Sequence, residues 1–282
     1  MILVTGGTGT VGSEVAKQLV AAGQRIRVLV RAPEKGVQKL GTGVELAKGD
    51  LTDAASLDAA LRGADKLFLL AAGADMMQHE ANAVDAAKRA GVKHIVKLSV
   101  IGAESESTPF GRWHRAGEKK IEASGVPWTF LRPTGFASNA LMWVGSLKAQ
   151  GTVFMPTGDG KLPVVDPKDI AAVAVHALTK PGHEGRSYDL TGPEALSTAE
   201  QVQKIGAAVG KSYKFVDVPE AAARDGMLGS GMPAVYVDAL LEYLRMVKAG
   251  QAATVSTHVE KVTGKKARTF DLWLADNLAA FR

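Results

Sequence analysis

The chain has 282 residues, 46% of them hydrophobic, and a net charge of +5 from 34 basic and 29 acidic side chains. That length and apolar content suit one large domain, or a core domain with a smaller lobe. The sequence holds no cysteine, which excludes disulfides and thiolate metal sites. No apolar run approaches the roughly 20 residues of a membrane span, and the amino-terminal run is too short for a secretory signal. A cytoplasmic protein without a membrane partner is expected. The densest basic group, Lys261 to Arg268, reads as solvated surface, so no nucleic-acid partner is expected either.

Taken in order, the chain opens with a short apolar run, Ile2 to Val4, which enters a glycine cluster. A helical pattern follows at once, with Val11, Val15, Leu19 and Val20 recurring on one face. Strand, glycine turn and helix are the context of a dinucleotide-binding fingerprint. Two registers fit, Gly7-x-Gly9-x-x-Gly12 and Gly6-x-x-Gly9-x-x-Gly12. One glycine turns the chain, one lets backbone approach a pyrophosphate, and Gly12 lets the helix lie close on the sheet. The free N–H groups of Gly6, Thr8, Gly9, Thr10 and Val11 would then face phosphate.

Arg25–Val30 and Val44–Ala47 read as the second and third strands, and Asp53–Leu61 as a helix capped by Thr52 or Asp53. Lys66–Leu70, His94–Leu98 and Trp128–Leu131 are further apolar strands. Between them lie helices over Asp75–Ala90 and Phe110–Ser124. This alternation predicts an α/β fold: a Rossmann-type doubly wound parallel sheet, with ligands beyond the carboxyl ends of its strands. After Pro133 the alternation loosens. Helices are expected over Phe136–Gln150, Lys168–Leu178 and Ser197–Val209, with strands over Arg186–Leu190 and Lys214–Val218. The expected division is a nucleotide-binding domain over 1–134, to which 166–180 returns. Residues 135–165 and 181–282 would form a smaller, mixed α/β substrate lobe.

The strand ends carry the candidate ligand contacts. The second strand ends in Val30-Arg31, where an acid would favour NAD. A guanidinium there pairs with a 2′-phosphate, so Arg31 points to NADP over NAD. Asp50 either hydrogen-bonds adenine or caps a helix, and Leu51 packs on the ring. Ala71, Ala72 and Gly73 leave room for a flat nicotinamide or ribose. Ser99 holds cofactor or substrate, or serves a local turn. Pro133 lies at the end of the sixth strand.

The chain resembles the atypical, NmrA-like branch of the short-chain dehydrogenase/reductase superfamily. The resemblance rests on Thr5–Gly12, on Gly49-Asp50-Leu51, on Ala86–Val92 before His94, and on Ser124–Thr129. It continues through Leu131-Arg132-Pro133 and Thr191–Ser197. Within that branch the chain is most similar to NAD(P)H-dependent quinone reductases and bacterial azo-dye reductases, which use NADPH without flavin. The resemblance implies a hydride transfer to a small aromatic acceptor, with no metal and no flavin, in a monomer or homodimer.

The superfamily's usual Tyr-x-x-x-Lys pair is absent. The four tyrosines begin only at Tyr188, and counting back from Ser124-Gly125 puts Phe110 and His114 at the two places. A phenylalanine moves no proton, so the reading turns to activated acceptors. The set His114-x-x-x-Glu118-Lys119 also recurs in the resembling quinone reductases, and His114 and Lys119 are the catalytic candidates. His114 would protonate the reduced acceptor or bind ribose, unless it is a surface histidine. Trp113, Phe136, Asn139, Met142 and Trp143 are expected to line the acceptor pocket. The rival function is an NmrA-like regulator that binds NADP without turnover. A sugar-nucleotide epimerase would need the missing tyrosine.

Overall fold

The computed structural model describes residues 1–41, 43–73 and 75–282. The chain forms two compact units. The first comprises Met1–Pro133, Pro167–Leu190 and Lys261–Gly264, and the second Thr134–Asp166, Thr191–Glu260 and Lys265–Arg282.

The strands of the chain are β1 (Ile2–Val4), β2 (Ile26–Val30), β3 (Glu45–Lys48), β4 (Lys66–Leu69), β5 (His94–Leu98) and β6 (Trp128–Pro133). They continue with β7 (Thr152–Met155), β8 (Lys161–Leu162), β9 (Arg186–Leu190), β10 (Leu196–Ser197) and β11 (Lys214–Asp217). The helices of the first unit are α1 (Thr10–Ala21), α2 (Pro33–Leu40), α3 (Ala54–Leu61), α4 (Met76–Arg89), α5 (Pro109–Ser124) and, after the strand β8, α7 (Pro167–Thr179). The second unit carries α6 (Val144–Gln150), α8 (Thr198–Val209), α9 (Glu220–Gly229), α10 (Ala234–Lys248) and α12 (Phe270–Asn277). The short α11 (His258–Thr263) straddles the division.

In the first unit, seven parallel strands run in the order β3-β2-β1-β4-β5-β6-β9. The order reverses between β1 and β4, which is where a doubly wound sheet binds its ligand. This is the Rossmann-type sheet that the alternation predicts. Residues 181–190, expected in the smaller lobe, instead belong to the first unit, because β9 extends the sheet beside β6. Alternation along the sequence reveals a strand but not its neighbour. The helix α2 was not anticipated. Leu3, Leu67, Leu69, Ile95 and Phe130 form a core with Leu57, Val84 and Ile121 from α3, α4 and α5.

His94 opens β5 at 2% exposure, with its Nε2 at 2.9 Å from Thr129 Oγ1. Burial pushes its pKa down to about 4. The native state therefore holds it neutral where an unfolded chain would protonate it. Its contribution is complete above about pH 6.5 and is lost as the pH falls through 4, a loss of about 3 kcal/mol. Thermal melts between pH 7 and 4 should show that decline, and His94→Asn should flatten it.

In the second unit the expected helix over 136–150 splits. Ala137–Trp143 is a 3-10 segment and only Val144–Gln150 is α-helical. β7 and β11 pair in parallel, and β8 and β10 antiparallel. Their core gathers Phe270, Trp273 and Leu274 of α12 with Val202 and Ile205 of α8. Ser197 and Glu200 close a reciprocal capping box at the start of α8.

Candidate active site

The β1–α1 turn is built by backbone crowding. Gly6 adopts φ +64°, a left-handed conformation that favours glycine. A Cβ on Gly12 would stand 2.1 Å from the Gly6 carbonyl oxygen, and one on Gly7 would stand 2.3 Å from Val28 Cγ1. Gly12 thus permits a close approach of helix to loop, not of helix to sheet. The cap of α1 is Gly9, which offers no side-chain hydrogen bond, and the first turn holds no acid. The opening N–H groups of α1 therefore face outward unopposed, beside exposed Thr8, Gly9 and Thr10. Only the backbone of Val11 is available, because its side chain is buried. Gly9 does not offer its N–H, which donates to the Gly6 carbonyl at 2.9 Å, so Thr8 and the turn from Thr10 are what fit a pyrophosphate.

Arg31 follows β2 with its side chain 85% exposed, and its Nε lies 4.0 Å from Asp50 Oδ2. That long contact with Asp50 leaves most of the guanidinium in solvent. Asp50 Oδ1 accepts from Thr52 N at 2.9 Å and Thr52 Oγ1 at 2.8 Å. Those bonds, the backbone one first, hold Asp50 below its ordinary pKa. Asp50 does not cap a helix, because Asp53 caps α3; the Asp50 carboxylate closes a local turn onto Thr52. Leu51 packs against the sheet core instead of standing clear for a ring. Ala71 is buried, Ala72 and Gly73 are exposed, and Pro133 is buried at the end of β6.

Helix α5 has a clear start and stop. Thr108 caps it by accepting from Gly111 N at 3.0 Å, Pro109 occupies its first turn, and Gly125 ends it in the left-handed conformation. His114 and Glu118, four residues apart, share its inward side. Glu118 is fully buried. It accepts from Ser99 Oγ at 2.7 Å, Arg132 Nε at 3.0 Å, Arg132 Nη2 at 2.9 Å and Arg115 Nη1 at 3.2 Å. Burial alone would raise its pKa, but hydrogen bonds from Arg132 and Ser99 hold it below the usual range. Ser99, expected at the ligand, is 3% exposed and its proton is committed to Glu118.

The lysine that meets His114 is Lys97, not Lys119. Lys119 is exposed and pairs with half-buried Glu106. Five residues along a helix turn through about 140°, so Lys119 faces away from His114. Lys97 lies in β5 with no exposed area, and its Nζ donates to Glu80 Oε1 at 2.6 Å. The same Nζ stands 3.0 Å from His114 Nδ1 and 3.1 Å from the Leu98 carbonyl. Burial first, and the Lys97 ammonium second, push the pKa of His114 well below its ordinary value. His114 is half-buried and neutral at pH 7. Burial pushes Glu80 upward against the pull of Lys97. Glu80 is fully buried, and its Oε2 has no hydrogen-bond partner.

Along β5 the same face carries Ile95, Lys97 and Ser99, and along β6 it carries Phe130 and Arg132. Both strands run from apolar to ionic toward their carboxyl ends, where ligands bind. A lysine inside a parallel strand and a glutamate on the apolar face of α4 were readable signals of a buried pair.

Trp113 is half-buried and meets Phe110 edge to face, with ring centroids 5.3 Å apart. The other expected acceptor residues belong to the second unit. Phe136 is half-buried, Asn139 and Met142 are exposed, and Trp143 packs against that unit's core. In the same unit Tyr243 brings its hydroxyl within 3.5 Å of Thr134 Oγ1, directly after β6. Sequence distance hid that contact. No group of three or more His, Cys, Asp or Glu among the described residues could hold a metal ion, and no described helix is long and apolar enough to cross a membrane.

The NmrA-like family model matches residues 1–274. The chain belongs to the NmrA-like family. An NAD(P)H azoreductase of Xenophilus azovorans is 42% identical, over 100% of this chain and 99% of its own. A (4-alkanoyl-5-oxo-2,5-dihydrofuran-3-yl)methyl phosphate reductase of Streptomyces griseus is also 42% identical, with the same coverage. Among solved structures, the NADPH-dependent quinone oxidoreductase of Escherichia coli, complexed with NADPH, is 27% identical. It superposes with a TM-score of 0.88 over 98% of this chain and 99% of its own.

Proposed function

We propose that the chain is an NADPH-dependent reductase that passes hydride to a flat aromatic acceptor, a quinone or an azo compound, without a flavin. The class, an NAD(P)H-dependent oxidoreductase, rests on full-length similarity to reductases. The observation that carries the cofactor reading is the uncapped α1 terminus inside a glycine cradle, with exposed Arg31 nearby. The cradle would hold the pyrophosphate, and Arg31 the 2′-phosphate that separates NADPH from NADH. Bound NADPH supplies the hydride.

The chain's own part is to orient the cofactor and deliver a proton. No tyrosine precedes Tyr188, and the imidazole of His114 is neutral. Such a site suits acceptors electrophilic enough to take hydride without strong acid activation. Quinones, azo compounds and conjugated alkenes all qualify. His114 is proposed to donate through Nε2, and Trp113 to stack on the acceptor. Lys119 has no place in this mechanism. Phe136, Asn139, Met142 and Trp143 are proposed as acceptor contacts.

The deciding experiment mixes flavin-free purified protein with NADPH and, in turn, a quinone, an azo dye and an unsaturated lactone phosphate. Loss of the NADPH absorbance with a quinone or azo dye is expected. Tight NADPH binding without oxidation by any of the three would sink the enzyme and leave a regulator. Turnover of the lactone phosphate alone would replace the aromatic acceptor. Arg31→Ala should weaken NADPH by about 10- to 100-fold, the worth of a charge-assisted hydrogen bond. NADH binding, measured by fluorescence titration, should stay nearly unchanged; equal losses would refute the role of Arg31.

A further inference from the structure

We propose that Lys97 and Glu80 are positioning residues that hold His114 as a fixed Nε2–H donor for the reduced acceptor. The acceptor in that statement rests on the reductase reading above. The state of the imidazole rests on the first unit alone.

An ammonium has three hydrogens and no lone pair. Lys97 Nζ has three acceptors at bonding distance: Glu80 Oε1 at 2.6 Å, His114 Nδ1 at 3.0 Å and the Leu98 carbonyl at 3.1 Å. Its hydrogens are therefore all assigned. His114 Nδ1 must receive one of them and cannot carry its own, because two N–H donors would then confront each other across 3.0 Å. The single proton of the neutral ring sits on Nε2. That atom has no hydrogen-bond partner among the described residues.

The charged neighbours support this arrangement from every packed element. From α4, Glu80 supplies the counter-charge, and its second oxygen is unpaired, so its attraction falls on Lys97. From α5 itself, Glu118 is saturated by Ser99, Arg115 and Arg132 and does not compete for Lys97. From β6, Arg132 is bound to Glu118 and to Glu104. A plain buried ion pair would need no third partner. Here the third partner, His114, is half-buried, whereas Lys97 and Glu80 have no exposed side-chain area.

The proton balance is simple. After taking hydride from the nicotinamide cofactor, the acceptor takes the Nε2 proton. Nδ1 takes a proton from Lys97, which becomes an amine beside the Glu80 carboxylate. A proton from solvent then reaches Nε2 while Nδ1 hands its proton back to Lys97, which restores the start.

The test uses the full chain labelled with 15N-histidine. His114 is assigned by the signal lost in His114→Gln. From about pH 5 to 8 its spectrum should show a pyridine-type Nδ1 and a pyrrole-type Nε2, with no titration. In Glu80→Gln/Lys97→Met, which removes both charges at similar volume, the two tautomers should mix and the titration midpoint rise by about one unit or more. Its kcat with a quinone should fall above that midpoint, while KM for NADPH stays within about twofold. A wild-type His114 that titrates between about pH 6 and 7, or carries its proton on Nδ1, overturns the proposal. So does a variant with the wild-type spectrum. Should the double variant not fold, the wild-type spectrum decides alone. Absent turnover with a locked His114 would remove the reductase reading and leave the lock standing.

Discussion

Lys97→Met should lower the stability of the chain by about 3–5 kcal/mol, the loss typical of removing one partner from a buried ion pair. The substitution itself is gentle, since methionine keeps most of the volume. The damage comes from what stays behind: Glu80, with no exposed area, and a second oxygen already lacking a partner. Denaturant melts of Lys97→Met and of Glu80→Gln/Lys97→Met separate the two effects. The double variant should recover most of the loss, because a neutral pair leaves no uncompensated charge. Equal losses in both would mean that the space, and not the charge, matters.

Gly12→Ala should weaken NADPH binding by about 10- to 100-fold, matching an overpacking strain of about 1–3 kcal/mol. The new methyl has nowhere to go, because the Gly6 carbonyl oxygen stands 2.1 Å from its place and Gly7 Cα 3.0 Å. The start of α1 must move away from the loop, and the N–H groups lose their common focus. Isothermal titration with NADPH reads the loss. Unchanged affinity with an intact fold would show that the loop does not hold the pyrophosphate. The neighbouring variant Gly9→Ala is milder, since its Cβ meets only the Gly6 oxygen at 3.2 Å.

Much of the fold was legible because local rules carry it. The glycine turn, the caps at Asp53 and Ser197, and the stop at Gly125 all depend on neighbours within a few residues. The site was legible in part. His114 and Glu118 share the inward side of α5, as their spacing implies. Lys97 stands out as a lysine inside an apolar strand, but its partners are not local: Glu80 arrives from α4 and His114 from α5. Ser99 looked free because nothing local reveals Glu118 as its acceptor. Lys119 was a catalytic candidate because it is close to His114 in sequence, but a helix makes distance periodic and not monotonic. The 3-10 segment at Ala137–Trp143 has the apolar load of an α-helix, which composition cannot tell apart.

The placement of β9 has a consequence for synthesis. By the time β6 leaves the ribosome, six strands of the sheet exist, but the seventh is still more than fifty residues away. Until then β6 presents a bare edge of N–H and C=O groups, and α1 lacks α7, to which Gln18 later donates through the Lys168 carbonyl. A nascent chain halted near Pro133 is therefore a sheet one strand short, open to pairing with its neighbours on a polysome. The insertion of Thr134–Asp166 between β6 and α7 sets how long that exposure lasts. Shortening it would change folding yield before it changed anything about the finished molecule.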